Sequence, residues 1–490
     1  MKFFLDLFLR SIRPSFRRVC ICFFIFPVVA MAQVPSNDGW RLEDCISYAM
    51  EHNLQIKQRM IGQELASQNL LESRAAMLPS LNGNASHGYN WGRTIDRFTN
   101  EFATERVQFN NFYLSSSVYV FNGFRLVNTI QKNRMELMAS RYDVDKMRDD
   151  IALNIATAYL SILFSLEQLE NIRGQVEVTR QQLARTRQLV EAGTLARGSL
   201  FTIEAQYAAE ERQLVEAENL VDLNYLSLAQ LLDLPTAEGF RIIRPDLQLG
   251  ERTPVLENPN DIYAYALEHQ PGVKSAGIRL ESAAKDVSIA KSYQSPSLAI
   301  QGSLGSGYSG ASRQVKDVVL SGVDTLGFTL EPSPVPVGVP SFDYSFERIP
   351  FRDQIDQNNN TTLGIYLTIP IFNGFQARTA VNRARLNLLN AEYSLEIEKN
   401  RLYKEIQQSY ADAMAALKRF RASEKSEAAL EESFNYTEQR FNVGMVNSVE
   451  YNDAKNKLAQ AESEVLQAKY EFVFRKTILD YYLGKPITLQ

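Results

Sequence analysis

The sequence predicts an α+β membrane protein of two tandem helix–β-hairpin–helix repeats, with alternating strands at one end of a long helical rod. Three observations predict it: an internal duplication, strands with one apolar and one polar face, and helical stretches too long for a compact domain. The duplication shows in five landmarks. Asp44 to Asn53 returns as Asp261 to Gln270, and Pro79-Ser-Leu81 as Pro296-Ser-Leu298, both shifted by 217. Phe121-Asn-Gly-Phe124 returns as Phe372-Asn-Gly-Phe375, Gly193 as Gly444 and Pro235 as Pro486, all shifted by 251. The step between the offsets places an extra 34 residues between Pro296 and Phe372, in the second copy only.

Residues 1–32 are set apart as an export signal. Lys2, Arg10, Arg13, Arg17 and Arg18 make a basic start, Val19 to Ala30 an apolar run, and Ala30-Met31-Ala32 a cleavage box before Gln33. The competing reading, an uncleaved anchor, needs about 20 apolar residues to span a bilayer. Removing the segment leaves 47 Lys+Arg against 56 Asp+Glu, a net charge of −9, which argues against a nucleic-acid partner. Of the three cysteines only Cys45 remains, on an apolar helical stretch, and it reads as a buried structural thiol. No later stretch approaches 18 consecutive apolar residues, so a membrane span must be made of strands.

The first repeat, 33–250, is expected to hold helices at 42–78, 123–192 and 199–233, with strands near 80–92 and 112–121. The second, 251–490, is expected to hold helices at 261–294, 374–443 and 449–483, with strands near 297–307 and 361–372. Leu42 to Met77 is rich in strong helix formers and lacks proline until Pro79 ends it. In the return strands, Leu363, Ile365, Leu367, Ile369 and Ile371 share one face, and Phe112, Leu114, Val118 and Val120 do the same in the first copy. Seventy residues without proline, Gly123 to Ala192, extend about 105 Å as helix and must pack lengthwise against others. The shorter second helix of each hairpin covers that length only if the helix before the hairpin stacks end to end with it.

Four strands cannot close into a barrel, and open edges are forbidden in hydrocarbon, so each chain must pair with neighbours. The duplicated plan, Phe-Asn-Gly-Phe at the strand-to-helix junctions, and the glycine tips Val190 to Thr194 and Phe441 to Met445 resemble the TolC family over about residues 40 to 488. The resemblance implies a homotrimer with a 12-stranded β-barrel in the outer membrane, in contact with its lipid, and a periplasmic α-helical coiled-coil barrel. It implies passive efflux of drugs or other small molecules, driven by an inner-membrane pump through a periplasmic adaptor docked on the tips: Gly193, Thr194, Leu195, Gly444, Met445 and Val446. Type I protein secretion is the alternative, and a non-conducting envelope scaffold is a further class. Pro79, Gly123, Pro296 and Gly374 mark the strand–helix junctions. Glu450 and Asp453 match the family's carboxylate ring at the tunnel mouth, against the plain reading of two solvated acids. The Arg–Asp link with which some members close the mouth falls here on Val446 and Ser199, so that lock is missing.

Other signals are discounted. Gly305 to Gly310 spells G-x-G-x-x-G without a following helix and reads as the opening of an extracellular loop spanning 311–360. His52 and His269, at matched repeat positions, read as helix-terminus residues rather than metal ligands. No catalytic, cofactor or metal site is expected, since no polar set converges on one.

Overall fold

The computed structural model describes residues 39–103, 106–236, 238–245, 256–330 and 332–488. The export signal and the boundary near residue 250 lie outside them. The first repeat runs α1 (Leu42–His52), α2 (Leu54–Ala75), β1 (Ser80–Asn90), β2 (Thr94–Ile95), β3 (Phe102–Ala103), β4 (Val107–Phe121), α3 (Arg125–Glu191) and α4 (Arg197–Leu231). The second runs α5 (Pro259–His269), α6 (Pro271–Ser292), β5 (Ser297–Ser309), β6 (Arg313–Phe328), β7 (Pro336–Arg348), α7 (Phe351–Gln357), β8 (Asn360–Thr368), α8 (Gln376–Asn442) and α9 (Ser448–Tyr482). Apart from α7, helices of 11, 22, 67 and 35 residues recur in the same order in both repeats.

The long helices α3 and α8, 67 residues each, extend about 100 Å at 1.5 Å per residue. Their shorter companions stack end to end as the chemistry requires. At the meeting point of α1, α2 and α4, Asn53 Nδ2 donates to the carbonyl of Leu231 at 3.2 Å, and the Leu54 amide donates to the Asp233 carboxylate at 3.0 Å. The expected single helices 42–78 and 261–294 are each broken here. Asn53 leaves the helical region (φ −61°, ψ 128°), and its side chain caps the amides of Gln55 and Ile56. Gln270 also leaves the helical region (φ −64°, ψ 126°), without a side-chain cap, because Pro271 follows it. The main core lies beside this break, where Leu42, Cys45, Ile151, Ile155, Tyr159 and Leu228 are buried. Burial pushes the Cys45 thiol up to about 12, consistent with an inert packing role. His52 and His269 stack on Tyr48 and Tyr265, each at 4.1 Å, and each ring nitrogen meets the carbonyl four residues back, which makes them helix-end residues.

Strands β2–β3 and β6–β7 pair separately, and the other four form one antiparallel sheet in the order β1-β4-β5-β8. Its registers reproduce the sequence offsets. Ser80 faces Ser117 in the first hairpin, and Ser297 faces Thr368 in the second, shifts of 217 on the outgoing strand and 251 on the return strand. Across the repeats, Ser115 faces Ser303. Strands β4 and β5 reach beyond their expected ends, to Val107 and Ser309. Strand β8 stops at Thr368, short of the expected 372, because Pro370 has no amide to give a ladder; Ile369 and Ile371 therefore leave the alternating face.

The expected loop 311–360 is instead ordered. Strands β6 and β7 pair antiparallel over 16 and 13 residues, and α7 follows. The Gly305 to Gly310 stretch is mostly strand β5 rather than a loop opening. Its glycines suit a crowded ladder: a Cβ on Gly307 would lie 2.5 Å from the Asn110 carbonyl oxygen.

Candidate functional site: conduit wall, junctions and tips

Cross-strand partners share a face, so the registers sort the sheet into two sides. Leu114 and Leu304, Val118, Ile300 and Ile365, and Leu298 and Leu367 line one side. Asn82, Ser115, Ser303 and Thr362, with Ser80, Ser117 and Gln301, line the other. The polar side encloses a hollow of about 240 Å³ in which Tyr113 and Tyr366 also stand. An apolar face against lipid and a hydroxyl- and amide-lined face inward are what a water-filled barrel wall needs.

Pro79 and Pro296 precede β1 and β5 directly. On the return side, Gly123 (φ 65°) and Phe124 (φ 62°) are both left-handed, as are Gly374 (φ 58°) and Phe375 (φ 62°). Two successive left-handed residues swing the chain from strand into helix. Phenylalanine tolerates this because its ring packs edge-on against Phe121 at 5.3 Å, and in the second copy against Phe372 at 5.7 Å. The two glycines differ in surroundings. A Cβ on Gly123 would lie 2.6 Å from the Ser295 Cβ, whereas nothing lies within 4 Å at Gly374.

Both far tips end in the same cap. Gly193 (φ 75°) donates to Val190 at 3.0 Å while Thr194 donates to Leu189 at 2.9 Å. Gly444 (φ 79°) donates to Phe441 at 3.0 Å while Met445 donates to Arg440 at 2.8 Å. These paired bonds satisfy carbonyls that a helix end otherwise leaves open. Leu195 and Met445 are exposed at 36% and 70%, but Val446 is 9% exposed and belongs to the packing of the tip. Ser199, half-buried, lies in the first turns of α4. Asn447 caps α9 by accepting from Val449 and Glu450. Glu450 then lies 3.5 Å from Arg440, and Asp453 2.7 Å from Lys457. Both carboxylates are more than half exposed, and each has a cation from its own chain.

Sequence reasoning missed the strongest polar feature of the rod. Lys455 on α9 is buried against α3 and α4. Its ammonium donates to both Glu210 oxygens, at 3.1 and 3.3 Å, to the Gln175 carbonyl at 2.7 Å, and to the Thr179 hydroxyl. The Lys455 and Glu210 side chains are 7% and 5% exposed. Burial lowers the lysine's hold on its proton and the Glu210 charge opposes that. The signal was available in the spacing: Glu210 sits midway between Ile203 and Ala217, seven residues from each, on the buried stripe of α4.

A second group of carboxylates lies on the α8–α9 pair. Burial, then Glu462, Glu431 and Glu424, raises the pKa of Glu427; burial, with Glu431 adding and a Gln175 hydrogen bond opposing, raises that of Glu462. Folded carboxyls with raised pKa hold protons longer than unfolded ones, so their contribution to stability falls as pH rises from the ordinary carboxylate range through the raised values. Glu427→Gln/Glu462→Gln will therefore raise the thermal midpoint at pH 7, with the gain fading towards pH 4. An equal gain at both pH values would contradict this.

The sequence profile described as outer membrane efflux protein matches residues 45–233 and again 262–485, once in each repeat. The chain belongs to that family. Outer membrane protein TolC of Escherichia coli strain K12 is 22% identical over 434 residues, covering 88% of this chain and 80% of TolC. Alkaline protease secretion protein AprF of Pseudomonas aeruginosa is 20% identical over 453 residues, covering 91% and 84%. Among solved structures, the outer membrane protein VceC of Vibrio cholerae superposes with a TM-score of 0.72 at 16% identity, covering 91% of this chain and 96% of VceC. The protein is an outer-membrane efflux channel, its sheet in the membrane and its helices in the periplasm.

Proposed function

We propose that three copies close one passive conduit, that a periplasmic adaptor docks on the tips around Gly193 to Leu195 and Gly444 to Met445, and that an inner-membrane pump supplies the energy. The observation that carries this reading is the two-sided sheet, apolar outward and polar inward, whose end strands β1 and β8 have no partner on their outer edges among the described residues. The β4–β5 pairing joins one repeat to the next, and the same pairing carried from β8 to β1 of a partner subunit closes the barrel without a free edge. The hydroxyl- and amide-lined wall suits varied small solutes, drugs among them. Protein secretion is the second reading, favoured by the similarity to AprF. Parallel assays of a deletion strain for drug sensitivity and for loss of secreted proteins decide between them.

At the mouth, Glu450 and Asp453, neighbours on one face of α9, supply a carboxylate pair from each chain. Magnesium is expected to lower the conductance of the purified channel in a planar bilayer, and Glu450→Gln/Asp453→Asn to remove most of that block. Undiminished block in the double variant would assign the cation site elsewhere.

A further inference from the structure

The hairpin β6–β7 stands apart from the barrel sheet, and its register makes it two-faced. Val315 opposite Phe346, Val318 opposite Tyr344, Leu320 opposite Phe342 and Val323 opposite Pro340 share one side. Gln314 opposite Glu347 and Asp317 opposite Ser345 occupy the other, where Asp343 faces Val319 and Asp324 faces Val339, so the acids are gathered on this side among three valines, Val319, Val337 and Val339. The seven large apolar side chains in these first-side pairs are each between 46% and 68% exposed. A two-stranded hairpin with nothing on its apolar face is marginal in water, so this face calls for an occupant.

The charges and the anchorage identify it. Arg313 faces Arg348 at the base of the apolar side, and neither has an ion-pair partner among the described residues; Asp317, Asp324, Asp343 and Glu347 all lie on the opposite side. An apolar strip ending in two arginines, with the acids turned away, is complementary to an anionic lipid surface. The base is tied to the lipid-facing side of the barrel: Phe351 of α7 packs against Phe112 at 6.3 Å and Tyr308 at 5.5 Å, both on the side carrying Leu114 and Leu304. Ser306 on that side also donates to the Ile355 carbonyl at 2.6 Å, and the Ile349 amide donates to Ser312 at 3.2 Å where the hairpin begins.

We propose that β6–β7 is a membrane-docking arm, whose apolar face lies on the outer leaflet beside the barrel while Arg313 and Arg348 engage phosphate headgroups. The inference rests on the barrel reading, and conductance of the same preparation reports that reading separately.

The test uses the full-length channel in phosphatidylglycerol vesicles, with an environment-sensitive dye on Val323→Cys or, on the opposite face, Asp324→Cys. Brominated acyl chains are expected to quench the label at 323 and leave that at 324 to an aqueous quencher. In Arg313→Gln/Arg348→Gln the docked fraction, measured where docking is incomplete, should fall on the order of tenfold. Equal aqueous quenching at both positions, with conductance intact, would overturn the proposal. So would disulfide-linked chains from Val323→Cys, which would give the face to a second copy.

Discussion

Lys455→Met will loosen the tip half of the rod by about 3–5 kcal/mol, because the change leaves the Glu210 carboxyl group buried in a dry site without its ammonium partner. The loss falls on the contact between the two helical hairpins, since Lys455 belongs to α9 and its partners to α3 and α4. Limited proteolysis will cut near Gly193 and Gly444 sooner, while the heat resistance of the membrane-embedded part changes less. A leaky mouth is the expected functional result, read as sensitivity to large hydrophilic antibiotics that the outer membrane normally excludes. Lys455→Met/Glu210→Leu restores most of the protection by removing both charges. A double variant as labile as the single one would show that the other lysine bonds, to Gln175 and Thr179, carry the contact.

The second large effect separates the two matched junction glycines. Alanine at either Gly123 or Gly374 must adopt a left-handed backbone, at about 1–2 kcal/mol. At Gly123 the new methyl also meets the Ser295 Cβ at 2.6 Å and the Ser292 Cβ at 3.1 Å, which adds about 1–3 kcal/mol of overpacking. Gly123→Ala is thus expected to reduce the yield of folded channel well below that of Gly374→Ala, with partial rescue by Ser295→Gly. Equal yields would mean that the α6–β5 connection carrying Ser295 gives way freely, and that the strand-to-helix geometry is not held by this contact.

What could be read from the sequence follows from what kind of information each feature carries. The duplication, the strand faces and the long helices depend on periodicity, and the matching hairpin registers at Ser80–Ser117 and Ser297–Thr368 bear out the two offsets. The junction and tip glycines were legible because a positive φ is a local demand on a residue type. The breaks at Asn53 and Gln270 were written in local chemistry too, an Asn cap and Pro271, but strong helix formers on either side masked them. The insertion misled because its proline-rich run, Pro332-Ser-Pro-Val-Pro336, looks like a loop; β7 begins at Pro336, and its pairing with β6 depends on contacts between residues about 30 apart, such as Val315 and Phe346. Lys455 and Glu210, on different helices and 245 positions apart, escaped because spacing alone puts Glu210 on a buried stripe and does not name the residue that the fold brings to it.

The most direct test of the account is whether the barrel closes by repeating, between chains, the pairing that joins the repeats within one. Ser115 faces Ser303 inside the chain; moving by 251 on one strand and back by 217 on the other puts Tyr366 opposite Ser86 of the partner subunit. The buried Cys45 leaves a clean background for Tyr366→Cys/Ser86→Cys. Oxidation of membranes carrying this double variant should give covalent dimers and trimers on a non-reducing gel, and either single variant only monomers. A correctly inserted, conducting double variant that yields no intermolecular link would contradict the account.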